Sequence, residues 1–94
     1  MKTTVNHSTD LIKNEVSKCL EGMSIFEMTV WVRDHAQSLK WFGNYNDAKI
    51  DYRVQAIMSF SALIRENFRD DPIATDEFRE LCVECVIDLE TNCR

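Results

Sequence analysis

Apolar residues recur every three or four positions through most of the 94-residue chain, which is the spacing of one face of an α-helix. Four such runs are separated by short polar breaks. The first covers about Asp10 to Leu20, with Leu11, Ile12, Val16, Cys19 and Leu20 on one stripe. Ser8 or Thr9 is placed to cap it, since a hydroxyl oxygen accepts from a free first-turn N–H. Residues 1–8 are expected to form a flexible N-terminal segment. Gly22 ends the run, as a residue tolerant of left-handed backbone. The second run opens on Ser24-Ile25-Phe26-Glu27, a capping box in which Ser24 and Glu27 satisfy each other's backbone N–H, with Met23 and Met28 at the staple positions. It extends to about Leu39 and places Ile25, Met28, Val32, Ala36 and Leu39 on one face. Phe26 and Val30 flank that face and Trp31 lies nearly opposite, so this helix is expected to be central or to meet a partner.

Lys40 to Asp47 reads as a connection, with Asn46 or Asp47 capping the next helix. The third run, about Ala48 to Phe68, carries Ile50, Val54, Ile57, Met58, Ser61, Ile64 and Phe68, widened by Phe60 and Leu63. Arg69-Asp70-Asp71-Pro72 stops it. The fourth, about Asp76 to Asn92, is expected to be capped by Thr75 and shows a narrow stripe of Phe78, Leu81, Cys82, Cys85, Val86 and Leu89. No strand-like alternation and no repeat is visible. The chain is too short for a second core, and it has 2 Gly and 1 Pro, which disfavours a turn-rich β fold. The expected architecture is an all-α, single-domain antiparallel four-helix bundle spanning residues 1–94.

Charge changes the picture. Residues 1–53 hold seven acids and seven bases, whereas residues 54–94 hold nine acids and four bases. The whole net charge of -5 therefore lies in the last 41 residues. At about 100° per residue, Glu77, Glu80, Glu84 and Asp88 form one row on the fourth helix, turned away from its apolar stripe. Asp70 and Asp71 lie in the preceding turn and Glu66 at the end of the third helix. A solvated helix face explains most acidic stripes. Here no base interrupts the row, because Arg79 lies off it. An uncompensated row costs a little repulsion but steers a basic partner. It disfavours direct nucleic-acid binding and suits an inhibitor that occupies the basic cleft of a nuclease.

Other chemistry is sparse. Cys82-Val83-Glu84-Cys85 is formally C-x-x-C, yet no second ligand pair accompanies it. Both thiols fall on the apolar stripe, where Cys packs as a small hydrophobe. A zinc or redox module is the weakest reading, and neither a cofactor nor a metal is expected. No phosphate loop or nucleophile motif appears. Asp34 is adjacent to His35 and points about 100° away, so His35 reads as a lone surface histidine. The chain is expected not to be an enzyme. Trp41, Phe42 and Tyr45 make the second connection aromatic. They either fold back on the core or, with Trp31, anchor a partner. No run reaches a membrane span and no signal-like stretch comes after Met1, so a cytoplasmic protein with thiol cysteines is expected.

The order of features resembles the small all-helical immunity proteins related to the colicin D immunity protein, including immunity partners of contact-dependent growth inhibition toxins. The similarity runs across roughly residues 10–92. Leu11-Ile12-Lys13-Asn14-Glu15-Val16 leads into Cys19-Leu20-Glu21-Gly22-Met23-Ser24-Ile25-Phe26-Glu27, like the family's first helix, polar break and capped second helix with an early aromatic. Phe60-Ser61-Ala62-Leu63-Ile64-Arg65 leads into the acidic break Arg69-Asp70-Asp71-Pro72, and Asp76-Glu77-Phe78-Arg79-Glu80-Leu81 opens a final helix. The resemblance implies a cytoplasmic antidote that blocks the active site of one toxin domain, typically a tRNA-cleaving RNase. Carried onto the last helix and the turn before it, the toxin-binding positions would be Asp70, Asp71, Glu77, Glu80, Glu84 and Asp88; the charge distribution adds Glu66, and interface enrichment of aromatics adds Trp31, Trp41 and Tyr45 as partner anchors. Competing expectations are a phage-encoded acidic inhibitor of a host nuclease or defence complex, and a small homo-oligomeric adaptor that uses Trp31. The chain itself is expected to be a monomer or a homodimer.

Overall fold

Four helices form where the apolar spacing puts them: α1 (Lys2–Leu20), α2 (Ile25–Trp41), α3 (Asp47–Phe68) and α4 (Pro72–Asn92). The computed structural model describes the backbone from Lys2 to Arg94 and the side chains from Thr9 onward, and no strand occurs among the described residues. The result is an all-α four-helix domain.

Two starts differ from the sequence reading. Helix α1 begins at Lys2, not near Asp10. Lys2–Thr9 contains no Gly or Pro, and once a helix is nucleated each further residue adds a hydrogen bond for little cost. Ser8 and Thr9 thus lie inside the helix; the side chains of residues 2–8 and all of Met1 lie outside the described residues. Helix α4 begins at Pro72, and its cap is Asp71 instead of Thr75. Proline fits the first helical position, where its missing N–H would have had no intrahelical partner. The Ile73 N–H donates to Asp71 Oδ1 at 2.9 Å, and the Thr75 hydroxyl donates to the Asp71 carbonyl at 3.0 Å.

The local signals in between hold. Gly22 has φ +79°, the left-handed turn after α1. Ser24 and Glu27 form the reciprocal capping box, at 2.9 and 3.1 Å. Asn46 caps α3 by accepting from the Lys49 N–H at 3.0 Å. Its own N–H donates to the Cys93 carbonyl, which ties the α2–α3 connection to the end of α4.

Helix α4, not α2, is the centre of the domain. It packs against α1, α2 and α3, whereas α2 packs chiefly on α3 and α4. The core divides into two clusters. One gathers Val16, Leu20, Met28, Val32, Ile57 and Ile64 around Phe78, Cys82, Val83 and Val86. The other joins Ala36, Leu39, Ile50 and Val54 to Leu89 and Cys93. Cys85 touches both. Ser61 is the buried polar side chain of this core, and its hydroxyl lies 2.7 Å from Thr29 Oγ1. Several expected core residues stay exposed: Leu11 and Cys19 on α1, Met58, Phe60, Leu63 and Phe68 on α3, and Leu81 on α4. Their helices have more apolar width than their neighbours cover.

Phe78 is wholly buried and Leu11 is 53% exposed. Phe78→Ala should therefore cost about 3–5 kcal/mol, and Leu11→Ala less than about 0.5 kcal/mol, by urea denaturation. Equal costs would contradict the placement of the core.

Candidate functional site

The buried residues of α4, Phe78, Cys82, Val83, Val86 and Leu89, fall on one side of the helix, and a strip on the opposite side is left to water. Glu77, Glu80 and Glu84 occupy that strip and are exposed. They form no ion pair or hydrogen bond within the described residues. Neighbouring carboxylates at such spacing have Cβ atoms about 5–6 Å apart and repel one another. The nearest arginine in sequence, Arg79, is turned away. Its Nε donates to the Leu20 carbonyl at 3.3 Å, closing the end of α1, and its guanidinium pairs with Asp76 at 2.7 Å. Asp70 is exposed in the turn before α4 and is likewise unpaired within the described residues.

The other three predicted acidic positions have different surroundings. Asp88 is not free: Arg53 of α3 donates to it, and the Asn92 amide donates to Oδ1 at 2.6 Å. The Asn92 hydrogen bond and then Arg53 hold its carboxyl below the usual carboxylate range, against an opposing effect of burial. Asp71 accepts from the α4 backbone as its N-cap, so its first duty is to the helix. Glu66 lies off the α4 row, in a groove with Ser24, Phe26, Ala62, Arg65 and Arg69. Arg65 there stacks its guanidinium over Phe26, 5.3 Å from the ring centroid. Of the seven carboxylates, Asp88 and Asp71 are engaged within the domain and Glu66 stands apart on α3, which leaves Asp70, Glu77, Glu80 and Glu84 as the unpaired acids of the α4 side.

Beside this ridge lies an apolar groove that the sequence reading missed. Phe60, Ile64 and Phe68 of α3 form one wall, and Ile73, Ala74 and Leu81 of α4 form the other. Its volume is about 450 Å³, and Asp71, Glu77 and Glu80 stand among its lining residues. Ile73 is 69% exposed. The one signal in the sequence is the excess width of the α3 stripe, which periodicity alone assigns to the core.

The aromatic anchors separate as well. Trp41 belongs to α2, not to a loop, and is 80% exposed; Phe42 is also exposed. Neither folds back on the core. Tyr45 does, against the second cluster, with the Arg94 guanidinium 5.5 Å from its ring centroid. Trp31 is half-buried against the first cluster and stacks on His35, with ring centroids 5.2 Å apart. His35 is not a lone surface residue, because its Nε2 lies 2.9 Å from Glu90 Oε2 on α4. Trp31 and Tyr45 are therefore structural, and Trp41 alone of the three remains an open anchor.

The cysteines behave as packing residues. Cys82 and Cys93 are buried and Cys85 is half-buried. Burial pushes the Cys82 thiol up to about 12 and the Cys85 thiol up to about 11, the neighbouring thiol and Asp88 respectively adding to it. No group of three or more His, Cys, Asp or Glu within the described residues is arranged to hold a metal ion. No helix there is long and apolar enough to cross a membrane. Comparison with known proteins leaves these geometric facts to carry the functional reading: no family model, curated protein or solved structure matches the chain.

A thiol reagent at pH 8 should modify the exposed Cys19 rapidly and the other three cysteines only on unfolding; rapid native labelling of Cys82 would contradict the packing. Asp88 has a lowered folded-state pKa, so its stabilisation is full above the unfolded value of about 3.9 and is lost as pH falls through the folded value. The stability gap between the wild type and Asp88→Asn should narrow below about pH 4; a gap constant from pH 7 to acid would contradict it.

Proposed function

We propose that this chain is a protein-binding inhibitor of the immunity type, which neutralises a nuclease toxin by laying the acidic α4 strip over its basic active site. The observation that supports it most is the set of four carboxylates, Asp70, Glu77, Glu80 and Glu84, that the fold leaves without a cation within the described residues. A cleft that holds phosphates is basic, and a rigid row of carboxylates offers it the charge of the substrate without a scissile bond. The inhibitor needs no catalytic group for this. The row sits on the most firmly packed helix of the domain, so little order has to be gained on binding. The unneutralised charge speeds encounter with a positive partner.

Two of the proposed positions have intramolecular roles. Asp88 is engaged with Arg53 and Asn92, and Asp71 caps α4; Glu66 is exposed and stands apart from the row, on α3. Toxin contact by the ridge is assigned to Asp70, Glu77, Glu80 and Glu84. An adaptor built on Trp31 is less favoured, because Trp31 packs inward.

Glu80→Lys with Glu84→Lys should leave helicity by circular dichroism unchanged. Association with a toxin domain co-purified from the native operon should slow by about tenfold or more and protection of cells should fall. Full protection by the double variant would refute the acidic-strip mechanism.

A further inference from the structure

The groove beside the acidic strip is lined by side chains that a folded chain has reason to cover. Phe60 and Phe68 are exposed aromatics on α3, and Ile73 and Leu81 are exposed aliphatics on α4. They sit on two adjacent helices joined by the short turn 69–71, so the walls are held in fixed relation. Ile64 and Ala74 lie deeper in the same groove. Phe60 meets the buried Phe78 ring at a centroid separation of 6.4 Å, which anchors that wall to the core. The groove is therefore a preformed slot with apolar walls. Its rim carries one sign of charge: Asp71, Glu77 and Glu80.

That rim decides what fits. A second copy related by a two-fold axis would bring the same three acids of each chain together, in a protein already at net charge -5. An anionic lipid surface and a nucleic acid are repelled in the same way. An extended basic peptide would meet the acids but leave the apolar walls wet. An amphipathic helix satisfies both features, with one apolar stripe at helical spacing and lysines or arginines along its margins.

We propose that the groove between the C-terminal half of α3 and the N-terminal half of α4 is a docking slot for a basic amphipathic helix of a partner protein, whose apolar side chains enter between Phe60, Phe68 and Leu81 while its cations meet Asp71, Glu77 and Glu80. This deepens the inhibitor reading and rests on it for the identity of the partner, since it names the part of the toxin that the chain grips. Affinity then comes from the apolar insertion, and the carboxylates supply orientation and speed.

The probe is a synthetic Leu/Lys amphipathic helix of about four turns, labelled for fluorescence anisotropy. Two controls accompany it: one with the leucines replaced by serine, and one with the lysines replaced by glutamate. The Leu/Lys peptide should bind at least about tenfold more tightly than either control. Ile73→Ser and Leu81→Ser should each weaken it by about fivefold or more. Tyr52→Ser, an exposed aromatic near the N-terminal end of α3 and away from the groove, should not. Ile73 is exposed, so Ile73→Ser leaves the core intact, and circular dichroism confirms the fold. Amide shifts on titration should concentrate in residues 60–81. Equal binding of the Leu/Lys and Ser/Lys peptides with no effect of Ile73→Ser would overturn the slot while leaving the acidic-strip reading standing. So would a failure of the Leu/Lys peptide to bind, or a homodimer in sedimentation that Ile73→Ser dissolves. Groove-dependent binding of the Leu/Lys peptide together with full toxin protection by the charge-reversed variant would sink the acidic-strip reading instead.

Discussion

The burial of α4 against all three other helices is the constraint on which the rest of the molecule depends. Phe78, Cys82, Val83, Val86 and Leu89 take up one side of it. On the opposite side the chain places Glu77, Glu80 and Glu84, all exposed. Like-charged neighbours on a helix destabilise it slightly. The hydrophobic contacts of α4 are larger in magnitude by far, so the fold tolerates a row of repelling carboxylates on its central helix. The row is held rigid by the same packing that offsets its cost.

The charges are also sorted. Where cations and anions meet across helices, they pair: Arg53 with Asp88, Lys40 with Asp51, and His35 near Glu90. Where they meet within α4, Arg79 turns toward Asp76 and the end of α1. Asp70, Glu77, Glu80 and Glu84 stay unpaired among the described residues, and Glu77 and Glu80 line the apolar groove. A surface that combines a fixed apolar slot with unneutralised acids on its rim is suited to recognition of a protein segment, more than to binding by charge alone.

Much of the fold is legible in the sequence where the signals are local. The capping box at Ser24, the left-handed Gly22 and the stripe of α2 depend on residues a few positions apart, and each stands where the pattern puts it. The start of α4 is ambiguous because Pro72 serves equally to end one helix and to begin the next. The exposure of Phe60, Phe68 and Leu81 is not legible, since it depends on which helices lie alongside α3. Asp88 looks in the sequence like one more member of a free row. Its partner, Arg53, sits 35 positions earlier, and only the register of α3 on α4 brings them together. His35 obeys the same logic in its contact with Glu90, 55 positions later on α4, whereas its stacking on Trp31 is a local i,i+4 contact within α2.

The most direct test of the central claim is carbodiimide cross-linking of the chain to a partner co-purified from its native operon, with the linked residues mapped by mass spectrometry. This chemistry joins carboxylates to lysines in direct salt-bridge contact. The account predicts links at Glu77, Glu80 or Glu84 and none at Asp34, Asp47 or Asp51. Links confined to the latter three, with the α4 acids unmodified by the partner, would contradict it.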